Sequence, residues 1–168
     1  MMTSASKIMV IRHAEKPDQE NASPYGVDSK GVQNFECLLV DGWQRAGAIT
    51  CLFAPARGSL QSALLATPQV LFATGEAKHS ESKRPHETIK PLSQKLNLPI
   101  NADFLKDDYS NMVNAVMASA GVVLIAWQHQ DIPAIANQIL GNSSAPQKWP
   151  GDRFDMVWVF DWNDSNQA

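Results

Sequence analysis

Lys7-Ile8-Met9-Val10-Ile11-Arg12-His13-Ala14-Glu15-Lys16-Pro17 decides how the rest of the chain is read. An apolar, partly β-branched run stops abruptly at Arg-His. Such a run, bounded by charge, predicts a buried strand. Arg12 and His13 then stand at its C-terminal end, where open α/β sheets bind ligands. A histidine there can act as a nucleophile, and the adjacent guanidinium can hold an anion in a planar fork. Taken alone, the pair is equally a strand-end charge beside an incidental histidine, so the rest of the chain has to decide.

Working outward, strand and helix patterns alternate. Residues 18–40 are polar and turn-rich, and predict a long loop beside the first strand's end, either a functional wall or lid or a plain insertion. Asp41 is a candidate N-cap for a helix carrying Trp43, Ala46, Thr50 and Phe53 and ending at Pro55. Gly58 to Leu65 suggests a further short helix, and Gln69 to Thr74 a second strand. Arg84-Pro85-His86-Glu87-Thr88 opens the next helix, with proline in its favoured first turn and Ile89, Leu92 and Leu96 as its buried stripe. Pro99 to Phe104 suggests a short strand. Asp108 or Ser110 would cap a helix with Val113, Val116, Met117 and Ala120 inward.

Gly121 to Trp127 is the clearest buried strand, and it runs straight into Gln128-His129-Gln130-Asp131. Ile132, Ile135, Ala136, Ile139 and Leu140 form a helical stripe stopped by Gly141. Phe154 to Trp162 reads as the last strand, with Trp158, Phe160 and Trp162 on one core-facing side; Trp127 and Trp149 read as packing residues. The alternation predicts an α/β fold: one domain over residues 1–168, a three-layer sandwich of a mostly parallel sheet with helices on both faces.

With 168 residues, 44% of them hydrophobic and 18% charged, the chain has the make-up of an ordinary globular protein large enough for a full core. A net charge of −3 and a pI near 5.7 provide no global basic field, so neither nucleic acid nor an anionic membrane surface is an expected partner. Met1 to Ser6 lacks a signal-peptide pattern, and no stretch approaches ~18 consecutive apolar residues. Cys37 and Cys51 fit no ligand or C-x-x-C pattern and read as free thiols. The expectation is a cytoplasmic protein with no metal site and no cofactor.

Two histidines, His13 and His129, each follow a buried strand. Arg12 sits beside the first, and Arg84 opens a helix whose N-terminus offers backbone N–H groups to an anion. If the strands are neighbours, all four converge. Phosphoryl transfer needs positive donors and positioning, and one neutral imidazole can attack phosphorus to give a covalent phosphohistidine.

In this arrangement the chain resembles the histidine phosphatase superfamily, with its phosphoglycerate mutase-like fold. Arg12-His13-Ala14 is similar to that family's strand-end motif, Arg84 with downstream Thr88 to its second arginine, and His129 to its second histidine. The resemblance spans about residues 7–162. It implies that His13 is the nucleophile and that Arg12, Arg84 and His129 complete a phosphate pocket without metal; Lys16 and Arg45 are possible extensions of it.

A general acid must protonate the leaving oxygen. In the mutase-like branch it lies downstream of the second arginine, where this chain has Asp107 and Asp108. In the acid phosphatase branch it directly follows the second histidine, where this chain has Gln130, with Asp131 one further on. Asp131 also reads as the N-cap of the helix at Ile132, and Asp108 as a cap, leaving Asp107 the freer of that pair. Glu15 matches a family glutamate beside the motif and could instead orient an arginine.

The chain has no room for large cap insertions. The expected activity is therefore a small phosphomonoesterase with an open site, acting on a phosphorylated small molecule or a phosphoprotein, with a mutase less favoured. The rival is a non-catalytic phosphoester-binding or interaction module on the same fold.

Overall fold

A computed structural model describes residues 4–162. In chain order the elements are β1 (Ala5–Arg12), α1 (Val40–Phe53), β2 (Val70–Ala73), α2 (Arg84–Leu96), β3 (Ile100–Asn101), a 3-10 turn at Lys106–Asp108, α3 (Tyr109–Met117), β4 (Gly121–Trp127), α4 (Ile132–Leu140) and β5 (Trp158–Asp161). The five strands form one sheet in the order β3-β2-β4-β1-β5. The β3–β2, β2–β4 and β4–β1 pairs are parallel, and β5 runs antiparallel to β1.

The long apolar runs of β1 and β4 follow from their central places. Each has a strand on both sides and apolar cover on both faces, so neither shows a polar alternation. Along β1, Ile8 and Val10 enter one core cluster with α3 and α4 residues Met112, Val116, Ile135 and Ile139. Met9 and Ile11 enter the other, with α1 and α2 residues Ile49, Phe53, Ile89 and Leu92. This is the period-two alternation of a strand inside the molecule. At the sheet edge, Lys7 pairs across β5 with Asp161 at 2.6 Å.

Placing β4 between β1 and β2 positions the site. The chain leaves β1 toward β2 on one side and leaves β4 toward β5 on the other. The strand order therefore reverses direction between β1 and β4, and such a switch point opens a crevice at the C-terminal strand ends. Arg12 is opposite Trp127 in the register, so both strands end level there.

Several local expectations are corrected. Helix α1 begins at Val40, with Leu39 in the cap position and no side-chain cap; Asp41 lies within its first turn. The first turn is pressed on the segment after β1 instead: Leu39 N–H donates to the Glu15 carbonyl at 3.0 Å. A Cβ on Gly42 would stand 2.6 Å from that same oxygen, which accounts for glycine there. Trp43 is only half-buried and donates its indole N–H to the Val27 carbonyl at 2.8 Å, pinning the preceding loop. No helix forms over 58–65: Gly58 takes φ +75° and Leu64 is 64% exposed, so no apolar stripe docks.

The strand expected over 99–104 is confined to Ile100–Asn101 at the edge, and that expected over 154–162 to Trp158–Asp161. Helix α3 stops at Met117 and leaves Ala120 exposed. Trp127 and Trp149 are fully buried, and Phe160, with half-buried Trp158 and Trp162, joins the α3/α4 cluster. Among the described residues no helix is long and apolar enough to cross a membrane.

Candidate active site

Beyond Arg12 the β1–β4 ladder continues for one more bond: His13 N–H donates to the Trp127 carbonyl at 2.9 Å. This brings His13 level with the turn that carries His129. The charges bearing most strongly on His13 are those of Arg12, Arg84 and His129, so the four sequence-singled residues do gather in one place. His13 is buried, with 5% of its surface exposed.

The His13 imidazole is held in one tautomer. Its Nδ1 lies 2.7 Å from the Ala14 carbonyl oxygen, which can only accept, so Nδ1 carries the proton. Nε2 is left with the lone pair. Burial, opposed by the Ala14 carbonyl and reinforced by the charges of Arg12 and Arg84 and by His129 when it is protonated, pushes the His13 pKa down to about 3. The ring is therefore neutral, the form a nucleophile needs.

Arg12 is buried at the strand end without an ion-pair partner among the described residues. One terminal amino group donates to the Gly151 carbonyl at 2.5 Å, and the guanidinium lies 3.8 Å from the centroid of the Phe154 ring. Burial lowers its pKa to about 10, opposed by the charges of Glu15 and Asp152.

Arg84 is the first residue of α2. It donates to the Phe35 carbonyl at 2.5 Å and has Glu36 at 3.6 Å and the Phe35 ring at 5.4 Å. Desolvation lowers its pKa too. Thr88 bolts this arginine to the strand end: its hydroxyl accepts from Ala14 N–H at 2.8 Å and donates to the Arg84 carbonyl at 2.7 Å. The 34–38 segment is tied to α2 as well, through Leu38 N–H to the Glu87 carboxylate at 2.9 Å and Lys83 N–H to the Glu36 carbonyl at 3.0 Å. The 18–40 stretch is thus a fixed wall where it meets Arg84.

Buried polar atoms of three of these residues have no partner: Arg12 Nε, Arg84 Nε and His129 Nδ1. The pKa of His129 is lowered, first by desolvation and then by Arg12 and Lys16. Lys16 itself is exposed.

The four candidate acids separate by partner. Glu15 binds Arg45, with 2.7 Å from Nε and 2.6 Å from a terminal nitrogen to the same oxygen. Its other carboxylate oxygen is buried and unpartnered. Asp108 accepts from Asn111 at 2.6 Å and does not cap α3 with its side chain. Asp107 is exposed on the 3-10 turn. Asp131 occupies the cap position of α4 but makes no side-chain cap bond; it is held by the Gln128 side chain and its charge bears on His129. The capping role expected of Asp131 and Asp108 is therefore not realised. None of the four is among the charges that bear most on His13.

Sequence reasoning missed Gly151, Phe154 and Asp152 beside Arg12, and Phe35 and Glu36 beside Arg84. All lie in irregular segments with no periodicity to mark them.

No family model matches the chain, and no curated protein matches it. A solved structure described as the "putative phosphohistidine phosphatase SixA from Agrobacterium tumefaciens" is similar over 93% of this chain and 91% of its own, with a TM-score of 0.53 and 14% sequence identity. At that identity the likeness is one of fold alone: an α/β chain with a mostly parallel sheet.

Proposed function

We propose that this chain is a phosphomonoesterase of the histidine phosphatase type, with His13 as nucleophile. The carrying observation is the set of three buried, unpartnered atoms, Arg12 Nε, Arg84 Nε and His129 Nδ1, around a neutral His13. Buried polar atoms without partners are costly, at about 1–3 kcal/mol each. A phosphoryl group offers several acceptor oxygens at once, and the negative charge matches two desolvated guanidiniums.

In this reading the Nε2 lone pair of His13 attacks phosphorus. The bond from phosphorus to Nε2 forms as the bond to the leaving group breaks (P–O in an ester, P–N in a phosphohistidine), and the leaving oxygen or nitrogen takes a proton from an acid. Arg12, Arg84 and His129 hold the equatorial oxygens in transit. Water then attacks the phosphohistidine, giving a proton to the conjugate base of that acid; a P–O bond forms, the P–N bond breaks, and inorganic phosphate leaves with the acid reprotonated and His13 neutral again. No metal enters these steps.

Asp131 ranks first among the four acids, because its charge bears on a site histidine and it is free of the cap. None of the four carboxylates is among the charges that bear most on His13, and a weakly coupled acid suits leaving groups that are weak bases, such as a phenol. The similar fold of a protein described as a phosphohistidine phosphatase supports a phosphorylated histidine on a protein as the substrate class.

That no carboxylate is among the charges bearing most on His13 favours the rival, a phosphoester-binding module without turnover. Steady-state hydrolysis of an aryl phosphate, with phosphate affinity measured in parallel, separates the two. Turnover that falls in Asp131→Asn supports the acid assignment. Wild-type rates in all of Glu15→Gln, Asp107→Asn, Asp108→Asn and Asp131→Asn exclude a side-chain acid from these positions. Phosphate binding without turnover establishes the module instead.

A further inference from the structure

The two site arginines are oriented differently, and the difference isolates one residue. Arg84 has a carboxylate, Glu36, at 3.6 Å. Arg12 has no carboxylate at ion-pair distance among the described residues, although the charges of Glu15 and Asp152 act on it. Each arginine donates to a carbonyl at 2.5 Å, but the Phe154 ring lies 3.8 Å from the Arg12 guanidinium carbon while the Phe35 ring is 5.4 Å from that of Arg84. Phe154 also lies 5.8 Å from the Arg45 guanidinium, and Arg45 is already neutralised by Glu15.

An aromatic face attracts a guanidinium and fixes its plane while leaving its charge unneutralised. A carboxylate would also orient Arg12, but would compete with a bound phosphoryl group for the same positive edge. Phe154 is half-buried in a segment that breaks from the sheet before β5. The turn ahead of it is anchored: Trp149 is buried, donates its indole N–H to the Arg153 carbonyl at 2.8 Å and stacks on Trp158 with centroids 5.2 Å apart.

We propose that Phe154 is a positioning residue for Arg12: its ring fixes the guanidinium plane so that the unpartnered Nε edge meets a bound phosphoryl oxygen. This rests on taking the site as a phosphate pocket. The Gly151 carbonyl fixes one end of the fork and the ring fixes its face, so the remaining edge has a single orientation. The 150–155 segment is then part of the phosphate site although none of its side chains need touch the phosphoryl group.

The test measures the affinity of inorganic phosphate for wild type, Phe154→Leu and Phe154→Tyr, with urea unfolding of each. Leucine keeps apolar volume and removes the ring face; tyrosine keeps the face. The expected result is a phosphate Kd raised about tenfold in Phe154→Leu and restored in Phe154→Tyr, with the two variants equally stable. Phe154→Met provides the same comparison if the leucine variant does not fold. Wild-type phosphate affinity in the leucine variant, equal losses in both variants, or no phosphate binding by wild type overturns the proposal. Because the readout is binding, a wild type that binds phosphate without hydrolysing esters sinks the phosphatase assignment while the role of Phe154 is still decided.

Discussion

The His13 amide donates to the Trp127 carbonyl at 2.9 Å, one residue beyond the end of β1. This bond sets the two histidine-bearing strand ends side by side. It is the step by which two sequence-distant motifs become one site.

Thr88 is the second tie between those motifs. Thr88→Val removes a hydroxyl that accepts from Ala14 and donates to Arg84, leaving a buried N–H unpaired. The expected cost is about 1–3 kcal/mol, read as a lower urea midpoint at unchanged m-value. Phosphate affinity should fall with it. A variant as stable as wild type would mean that the bridge contributes nothing.

The pH dependence of stability carries a signature of His13. Its folded pKa, about 3, lies below the ordinary histidine value. Between those two pH values the unfolded chain binds a proton that the folded chain does not, so stability falls as pH drops through that window. His13→Gln should lose less stability than wild type between pH 6 and pH 4, by up to about 1.4 kcal/mol per pH unit. Parallel curves for the two proteins would show that His13 is not held neutral.

The thiols should differ in reactivity. Cys37 is buried and its pKa is pushed up to about 12, chiefly by desolvation and then by the Glu87 carboxylate; Cys51 is exposed. Only the thiolate reacts. A thiol reagent at mildly alkaline pH should label Cys51 quickly and Cys37 only on unfolding. Fast labelling of both would contradict the fixed packing of the 34–38 wall on α2.

Leaving-group dependence should be steep. With no carboxylate among the charges that bear most on His13, aryl phosphates and phosphohistidine should be hydrolysed much faster than alkyl phosphates. Comparable kcat/KM for phenyl and simple alkyl phosphates would show that an efficient acid is present.

Much of this was legible in the chain. The uninterrupted apolar runs at 8–11 and 122–126 predict buried strands, and the Arg-His and Gln-His that follow them mark the strand ends that lie side by side. Pro85 placed Arg84 at a helix start. Asp41, Asp108 and Asp131 make no side-chain caps, because α1 is anchored by Leu39 on Glu15 and the other two carboxylates take side-chain amides instead. The last strand is shorter than Phe154, Met156 and Val157 suggest, because the chain joins the sheet only at Trp158 and Phe154 packs on Arg12 instead. Phe35, Glu36 and Gly151 were invisible because their roles come from where irregular backbone crosses an arginine, which no periodicity encodes.

The proposed reaction turns on a covalent phosphohistidine at His13. Wild type and His13→Ala, each prepared with a chelator, would be mixed with an aryl phosphate, quenched without acid and examined by intact-mass and peptide mass spectrometry. An acid-labile phosphoryl adduct on the His13 peptide, absent with turnover from His13→Ala, is the predicted result. Turnover that persists in His13→Ala, or a wild type that binds phosphate yet never carries the adduct, would contradict it.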